Sequence, residues 1–316
     1  MGKIGVGIIT CDRVDMFNIC FESLNDEWYD ELVVVDDGEE EYPLMRRGAE
    51  FIRTTGKVGV GKAKNAAIQN LLDKDCDYII LVEDDMIFKG NLFAEYIKAY
   101  KETGIHHFMF GYHGPANKAG ISGGAPVPRK VIDYGDGVKI ALNQHCVGAV
   151  TFYTRESLEA VGLYDEQYTN AFEHVDHSYT LAKKGYSTPY WWWADIANSL
   201  DFVQEQKCSE ESSAIRPRSD WQSNIKKAST YFIEKNGKHP VDVPNRSYNH
   251  VEDFLKTKKA NPAISFIVHY RKDTEERLSN LHIVYEYYKD IYPNSEFIFV
   301  EDDSEKTIEH LVKEGD

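Results

Sequence analysis

The stretch Tyr78-Ile79-Ile80-Leu81-Val82-Glu83-Asp84-Asp85 decides how this chain is read. An apolar run without polar alternation stops abruptly at a row of carboxylates. Such a run marks a strand buried on both faces, as in a parallel sheet covered by helices. Two runs before it have the same form: Ile4-Gly5-Val6-Gly7-Ile8-Ile9 ends at Thr10-Cys11-Asp12-Arg13, and Leu32-Val33-Val34-Val35 ends at Asp36-Asp37-Gly38. Helical spacing of Phe17, Cys20, Phe21 and Leu24 separates them. A weak strand at Phe51-Ile52 precedes a helix over residues 62–72, opened by Gly56, Gly59 and Gly61. The alternation predicts an α/β fold, a mostly parallel sheet with helices on both faces. Ligands of such sheets bind beyond the carboxyl ends of the strands, so the polar strand ends share one rim.

Further along, residues 91–102 read as an amphipathic helix ending at Gly104, and 105–154 mix β-rich runs with Gly and Pro turns. A helix over 173–184 closes at Gly185, the expected place for a C-terminal glycine. Residues 203–260 are polar and irregular, with one helix from Ser219-Asp220 to Lys235, ended by Gly237. From Pro262 the opening pattern returns. Ile264-Ser265-Phe266-Ile267-Val268 leads to His269-Tyr270-Arg271, a helix carries Leu278, Leu281, Val284 and Tyr288, and Phe297-Ile298-Phe299-Val300 stops at Glu301-Asp302-Asp303-Ser304. The expected organisation is a nucleotide-binding α/β domain at 1–202, a helical extension and linker at 203–260, and an incomplete second segment, a βαβ fragment, at 261–316.

Lys and Arg number 36 against 52 Asp and Glu, a net charge of −16, which argues against nucleic acid or an anionic membrane as partner. A metal-bridged nucleotide remains compatible, because a divalent cation inverts the local electrostatics. Hydrophobic residues at 42% and aromatics at 13% exclude a disordered chain. The five cysteines are scattered without a CxxC, as expected of reduced thiols inside a cell. No apolar run approaches the ~20 residues that span a bilayer, and no signal-peptide pattern precedes the first strand. The expectation is a soluble, cytoplasmic chain with no integral membrane segment.

Carboxylates crowded at Glu83-Asp84-Asp85 repel one another, which a divalent cation under a diphosphate would relieve while acting as a Lewis acid. The plainer alternative is a solvated acidic turn. Asp36-Asp37 can accept from a uracil N3–H or a ribose hydroxyl, or form an Asx turn with Gly38. Gly59-Val60-Gly61-Lys62-Ala63-Lys64-Asn65 puts glycines and lysines at a helix start, favourable for phosphate or ribose, yet is neither a Walker A loop nor a GxGxxG turn. Glu173-His174-Val175-Asp176-His177 places acids and histidines one turn apart. They read as a general base beside an acceptor hydroxyl, as a His-x-x-His metal site without further ligands, or as acids that favour a helix dipole. Tyr190-Trp191-Trp192-Trp193 could stack on sugar rings, but consecutive strand residues cannot all face one pocket, so one or two belong to the core.

Taken together, the motifs resemble an inverting GT-A glycosyltransferase of family two. Thr10 to Arg13 matches its T-x-(N/D)-R, Val35 to Gly38 its vvvDDg, Gly59 to Ile68 its G-x-G-x-A-(R/K)-N-x-x-I, and Glu83-Asp84-Asp85 its DxD. Val161 to Glu166 matches vGgfDE, Glu173 to Gly185 the ED…R…G segment, and Tyr231 to Gly237 a YfikKWG element. The match runs in order through residues 3–240. The resemblance implies a UDP-sugar donor, Mn2+ or Mg2+, and a glycan or glycoconjugate acceptor. Thr10, Asp12 and Asp37 would contact uridine, with Arg13, Asp36 and Gly59 in the same nucleotide site. Lys64 or Asn65 would lie at the uracil or ribose. Asp84 would lie near the donor ribose or sugar, and Asp85 would hold the metal, with Glu83 in place of the first acid of the DxD. Glu173, His174 and Asp176 are rival bases: Glu173 is favoured, although His174 stands where the family carries its Asp. Thr180 replaces the family's Arg, and Asp195 and His239 are the candidates for a third ligand. Residues 261–316 resemble the start of a second such domain, as in two-domain chondroitin-type polymerases. Two rival functions are a nucleotidyltransferase on the same fold, which would release pyrophosphate, and a non-catalytic carbohydrate-binding protein.

Overall fold

The computed structural model describes residues 2–39, 48–120, 124–206, 220–244, 247, 250–255, 265–271, 274–291 and 296–301. Contacts divide the chain into two compact units, Met1–Leu255 and Lys256–Asp316.

In the first unit, β1 (Ile4–Thr10), α1 (Val14–Ser23), β2 (Glu31–Asp36), β3 (Glu50–Arg53), α2 (Val60–Asp73) and β4 (Tyr78–Glu83) build the parallel part of a sheet, in the order β3-β2-β1-β4. There follow β5 (Met86–Phe88), α3 (Leu92–Thr103), β6 (His107–Met109), β7 (Lys130–Gly135), β8 (Val138–Asn143), β9 (Val150–Thr154) and α4 (Arg155–Val161). The large sheet continues β4-β9-β6, with β9 antiparallel to both neighbours. After α4 come α5 (Glu173–Lys183), β10 (Trp193–Ile196), β11 (Val203–Glu205) and α6 (Trp221–Asn236). Strands β10, β8 and β7 form a small antiparallel sheet, and β11 pairs antiparallel with β5.

Strand alternation explains why the apolar runs are unbroken. Val6, Ile8, Val34, Ile80 and Val82 pack with Phe17, Phe21, Phe93 and Tyr96, so α1 and α3 cover one face. Their neighbours Val33, Val35, Ile79 and Leu81 pack with Ala63, Ala67, Ile68 and Leu71 of α2 on the other. Each such aliphatic side chain contributes about 1.5–3 kcal/mol on burial. Gly7 sets the spacing between α2 and β1, since a Cβ there would lie 2.8 Å from the Cβ of Ala67. Helix α3 stops at Gly104, whose φ of 65° is left-handed, in agreement with the sequence reading.

The second unit contains β12 (Ser265–Tyr270), α7 (Glu275–Ile291) and β13 (Glu296–Glu301), with β12 and β13 parallel as β1 and β2 are. Aromatic contacts of Phe266 with Phe297 and Tyr288, and of Tyr285 with Phe297 and Phe299, fasten the helix to the strands. Asp302, Asp303 and Ser304 lie outside the described residues, as does Cys208. The other four cysteines are free thiols. Among the described residues no helix is long and apolar enough to cross a membrane.

Candidate active site

A cavity of about 590 Å³ opens at the carboxyl end of the parallel strands. Of the residues singled out in the sequence, Thr10, Arg13, Asp37, Glu83, Glu173, His174 and His239 line it. Its far wall comes from Phe172, Tyr190, Trp191, Trp221, Ile225, Pro240 and Val241. Part of the stretch expected as extension and linker therefore encloses the site. Trp192 and Trp193 are core residues at 5% and 1% exposure, which leaves Trp191 to face the cavity.

The acid turn after β4 splits into three roles. Asp84 is fully buried; its carboxylate accepts from the Thr10 hydroxyl (2.7 Å) and pairs with the Arg13 guanidinium. Burial pushes the Asp84 carboxyl up to about 7 against the opposing pull of Arg13. Its oxygens are thus spent on the protein, and the expectation of Asp84 at the donor ribose gives way to a strut beneath the turn. Asp85 pairs through Oδ2 with Arg13 at 3.3 Å, while its buried Oδ1 has no hydrogen-bond partner. Burial and then the Glu83 charge raise the Asp85 carboxyl, partly offset by Arg13 and His113. Asp85 is not among the residues that line the cavity and bears on it through Arg13, which it holds. Glu83 binds the Lys64 ammonium at 2.9 Å.

Lys64 is the least expected element. It is fully buried, donates to Glu83 and to the Gly148 carbonyl (3.1 Å), and lies 3.8 Å from Glu173. It therefore joins the acid turn to the start of α5 rather than reaching a uracil or ribose. Asn65 is likewise occupied, donating to Tyr164 and Glu166 and accepting from the Tyr164 N–H at 2.8 Å. It ties α2 to the segment before α5 and is not part of the cavity wall.

The acids after β2 organise loops. The Asp37 carboxylate accepts from the Thr54 hydroxyl (2.7 Å) and the Val58 (2.8 Å) and Gly59 (2.9 Å) N–H groups, closing the loop that leads into α2. Gly59 is required there: its φ is 105° and a Cβ would meet the Thr169 carbonyl at 2.4 Å. Asp36 is buried and accepts from the Gly38 N–H at 2.8 Å, the Asx-type turn weighed as its plainer reading. Asp12, at a φ of 52°, accepts from Glu39 N–H and pairs with Lys57 at 3.0 Å.

The base candidates separate clearly. Asp176 accepts from Lys235 (2.7 Å) and Asn236 (3.0 Å) and from Tyr168, a buried anchor for α6 that is absent from the cavity wall. This removes it from contention as the base. Glu173 and His174 remain as a pair, with Nδ1 of His174 2.9 Å from Oε1 of Glu173. Burial alone would raise the Glu173 carboxyl, but His174 and then Lys64 outweigh it and hold it at about 2. Its buried Oε2 has no hydrogen-bond partner.

Asp195 lies in the core of the small sheet, accepting from Tyr96 (3.0 Å), the Gly111 N–H (2.9 Å) and Ser199 (2.7 Å). Those three bonds consume the carboxylate and correct the expectation of a metal ligand there. His239 lines the cavity, and its Nδ1 accepts from the Val241 N–H at 3.3 Å. His113 escaped the sequence reading because a lone histidine in a Gly-rich turn carries no spacing signal. It lines the cavity and pairs with Glu205 at 2.6 Å; burial would lower its pKa, but Glu205 and then Asp85 raise it.

No group of three His, Cys, Asp or Glu residues able to cage a metal exists among the described residues. The orphaned Oδ1 of Asp85 is nevertheless a hard oxygen donor in an acid-rich turn. That set fits a cation of the Mg2+ or Mn2+ type, which is commonly held by one or two carboxylates and completed by substrate phosphates.

Residues 6–162 match the family model described as Glycosyl transferase family 2. A comparison with curated protein sequences gives no match. Among solved structures, the chain is similar to GalNAc-T7 with UDP, GalNAc and Mn2+, at 11% identity and a TM-score of 0.50, over 93% of this chain and 58% of that one. It also matches S. aureus TarS (11% identity, TM-score 0.45, 81% of this chain and 42% of that one). For S. aureus TarS 1-349 in complex with UDP-GlcNAc the figures are 11% identity, a TM-score of 0.46, and 81% and 71% of the two chains. The chain thus spans less than two thirds of GalNAc-T7 and of the longer TarS chain.

Proposed function

We propose, from a chain whose residues 6–162 are a glycosyl transferase family 2 domain on the GT-A fold, that it moves a sugar from a UDP-sugar to a hydroxyl of a glycan or glycoconjugate, with metal assistance and inversion. The observation that carries this reading is one cavity lined by both the strand-end groups Thr10, Arg13, Asp37 and Glu83 and the Glu173–His174 pair. The first set suits a nucleotide diphosphate, and the second suits an attacking hydroxyl.

Asp85, with Glu83 beside it, would hold the cation; when bound, the metal supplies Lewis-acid stabilisation of the departing diphosphate. The protein's own groups do the rest. Asp84 fixes Arg13 at the edge of the cavity, where the guanidinium complements a phosphate. Asp37 holds the 54–59 loop in the shape that admits the nucleoside. Glu173 accepts Nδ1–H of His174 and orients the imidazole, whose Nε2 takes the acceptor proton as the oxygen attacks the anomeric carbon. The bond from that carbon to the UDP oxygen breaks in the same step, and its electron pair leaves with UDP. Attack opposite the leaving group inverts the anomeric centre. The repeated order β12-α7-β13, with its parallel pairing, supports reading 261–316 as a second GT-A-like segment after the extension at 203–260.

A panel of UDP- and GDP-sugars incubated with MnCl2 tests the reading through nucleotide release. UDP release that is abolished by chelation and by Asp85→Ala is the expected result. Pyrophosphate in place of UDP points to a nucleotidyltransferase, and metal-independent sugar binding without release points to a binding protein; either refutes the proposal.

A further inference from the structure

Two bulky residues hold left-handed backbone, Phe172 at a φ of 69° and Trp191 at 74°, and both line the cavity. This conformation is disfavoured for large side chains, and such strain gathers where a site needs a particular presentation. Each is fastened by neighbouring groups. The Trp191 indole N–H donates to the Val243 carbonyl at 3.0 Å, and Arg129 donates to the Trp191 carbonyl at 3.2 Å. Phe172 packs against Phe232 of α6 and lies edge-on to His239, with ring centroids 6.2 and 6.3 Å away. Trp221, at the first turn of α6, completes an aromatic wall; His239 stands against the Phe172 ring, and His145 lines the same cavity.

Resting on the glycosyl-transfer reading, we propose that this wall is the acceptor subsite and that the acceptor is a saccharide, a pyranose ring stacked on Trp191 and Trp221. A pyranose presents an apolar C–H face rimmed by hydroxyls, which matches aromatic faces interleaved with imidazole edges. An alkyl chain would set those polar imidazole edges against hydrocarbon, at a cost. The location fits the chemistry, since Phe172 directly precedes the Glu173–His174 pair and brings a hydroxyl of the stacked ring to the base.

Saturation-transfer NMR on the full chain without nucleotide, with cellobiose, chitobiose, maltose and N-acetyllactosamine as probes and farnesyl phosphate as the lipid control, tests the subsite. The expected result is transfer to C–H protons of at least one disaccharide, weakened at least fivefold in Trp221→Ala and in Trp191→Phe proteins that keep the native far-UV spectrum. Using both variants guards against misfolding at the strained position. No disaccharide response, an undiminished response in both variants, or binding of farnesyl phosphate alone would overturn the proposal. Calorimetric titration with UDP and MgCl2 is run alongside, so a failed donor site is told apart from a failed acceptor subsite.

Discussion

Replacing Lys64 by methionine probes the charge that joins the two halves of the site. The ammonium is fully buried and serves Glu83 at 2.9 Å and Glu173 at 3.8 Å. Glu173 falls from an ordinary 4.5 to about 2, which corresponds to roughly 3 kcal/mol in favour of its charged form. His174 supplies the larger part, leaving Lys64 a share on the order of 1 kcal/mol. Loss of the charged hydrogen bond to Glu83 adds about 2 kcal/mol. The sum, about 3 kcal/mol, sits at the low end of what breaking a buried pair costs. In a unit of 255 residues it lowers Tm by roughly 6–12 °C. The pH dependence has a definite sign. A carboxylate with a depressed folded-state pKa adds stability above its unfolded value near 4.5, and that stability is lost as pH falls toward 2. Lys64→Met surrenders part of it at neutral pH; because the unfolded reference is shared, the deficit relative to the parent persists to pH ~4 and closes only as pH falls toward the folded-state value of about 2. Urea unfolding followed by tryptophan fluorescence at neutral pH measures the deficit. A deficit under about 1 kcal/mol refutes the bridging role.

Three further outcomes are expected. Glu173→Gln removes the partner that orients His174 and slows UDP release in the presence of acceptor by roughly 10²–10⁴-fold, whereas a loss under tenfold would exclude the pair as the base. Asp176→Ala leaves Lys235 and Asn236 without their acceptor and destabilises by about 2–4 kcal/mol, with faster tryptic cleavage around α6; an unchanged melt and digestion pattern contradicts the anchor. His107 and His177 are buried and held neutral, their pKa values lowered by burial to about 3 and about 4 from 6.5. Their stability contribution is complete above the unfolded value and lost as pH falls below it, about 2 kcal/mol each near pH ~5. Urea midpoints that stay flat between pH ~7 and ~5 would count against this.

The long elements were legible because burial on both faces writes continuous apolar runs, which are β1, β2 and β4, and because Gly104 and Gly237 punctuate α3 and α6. The partners of β9 were not. Its antiparallel place between β4 and β6 depends on residues far apart in sequence, and 105–154 read only as β-rich. β5 and β11 are three residues each, too short for a periodic signal, and they exist by pairing with each other. Within the site, strand-end position identified the acid turn. It did not tell which carboxylate turns inward, since Asp84 and Asp85 differ only in what Thr10 and Arg13 reach. Glu173 and Asp176 share a helix face one turn apart, and only the packing of α6 over Asp176 separates them. Lys64 read as a phosphate or ribose contact at a helix start because its partners Glu83 and Glu173 come from other elements.

The short pairing of β11 with β5 bears on how the site comes into being. Gln206, directly after β11, donates from its side chain to the carbonyls of Met16 and Asp84 and from its N–H to the Asp85 carbonyl. The acid turn is therefore stitched in place by residues that leave the ribosome some 120 positions after it, in keeping with its Gln206–Asp84 separation of 122. Until then β1, β2 and β4 can pair, but the turn lacks its last constraints, and the cavity wall still awaits Trp221 to Val241. A nascent chain or truncation ending at 162, where the family match stops, would contain most of the recognisable motifs and yet no finished site. Competence for binding arrives as a late step of synthesis, after the sheet that announces it.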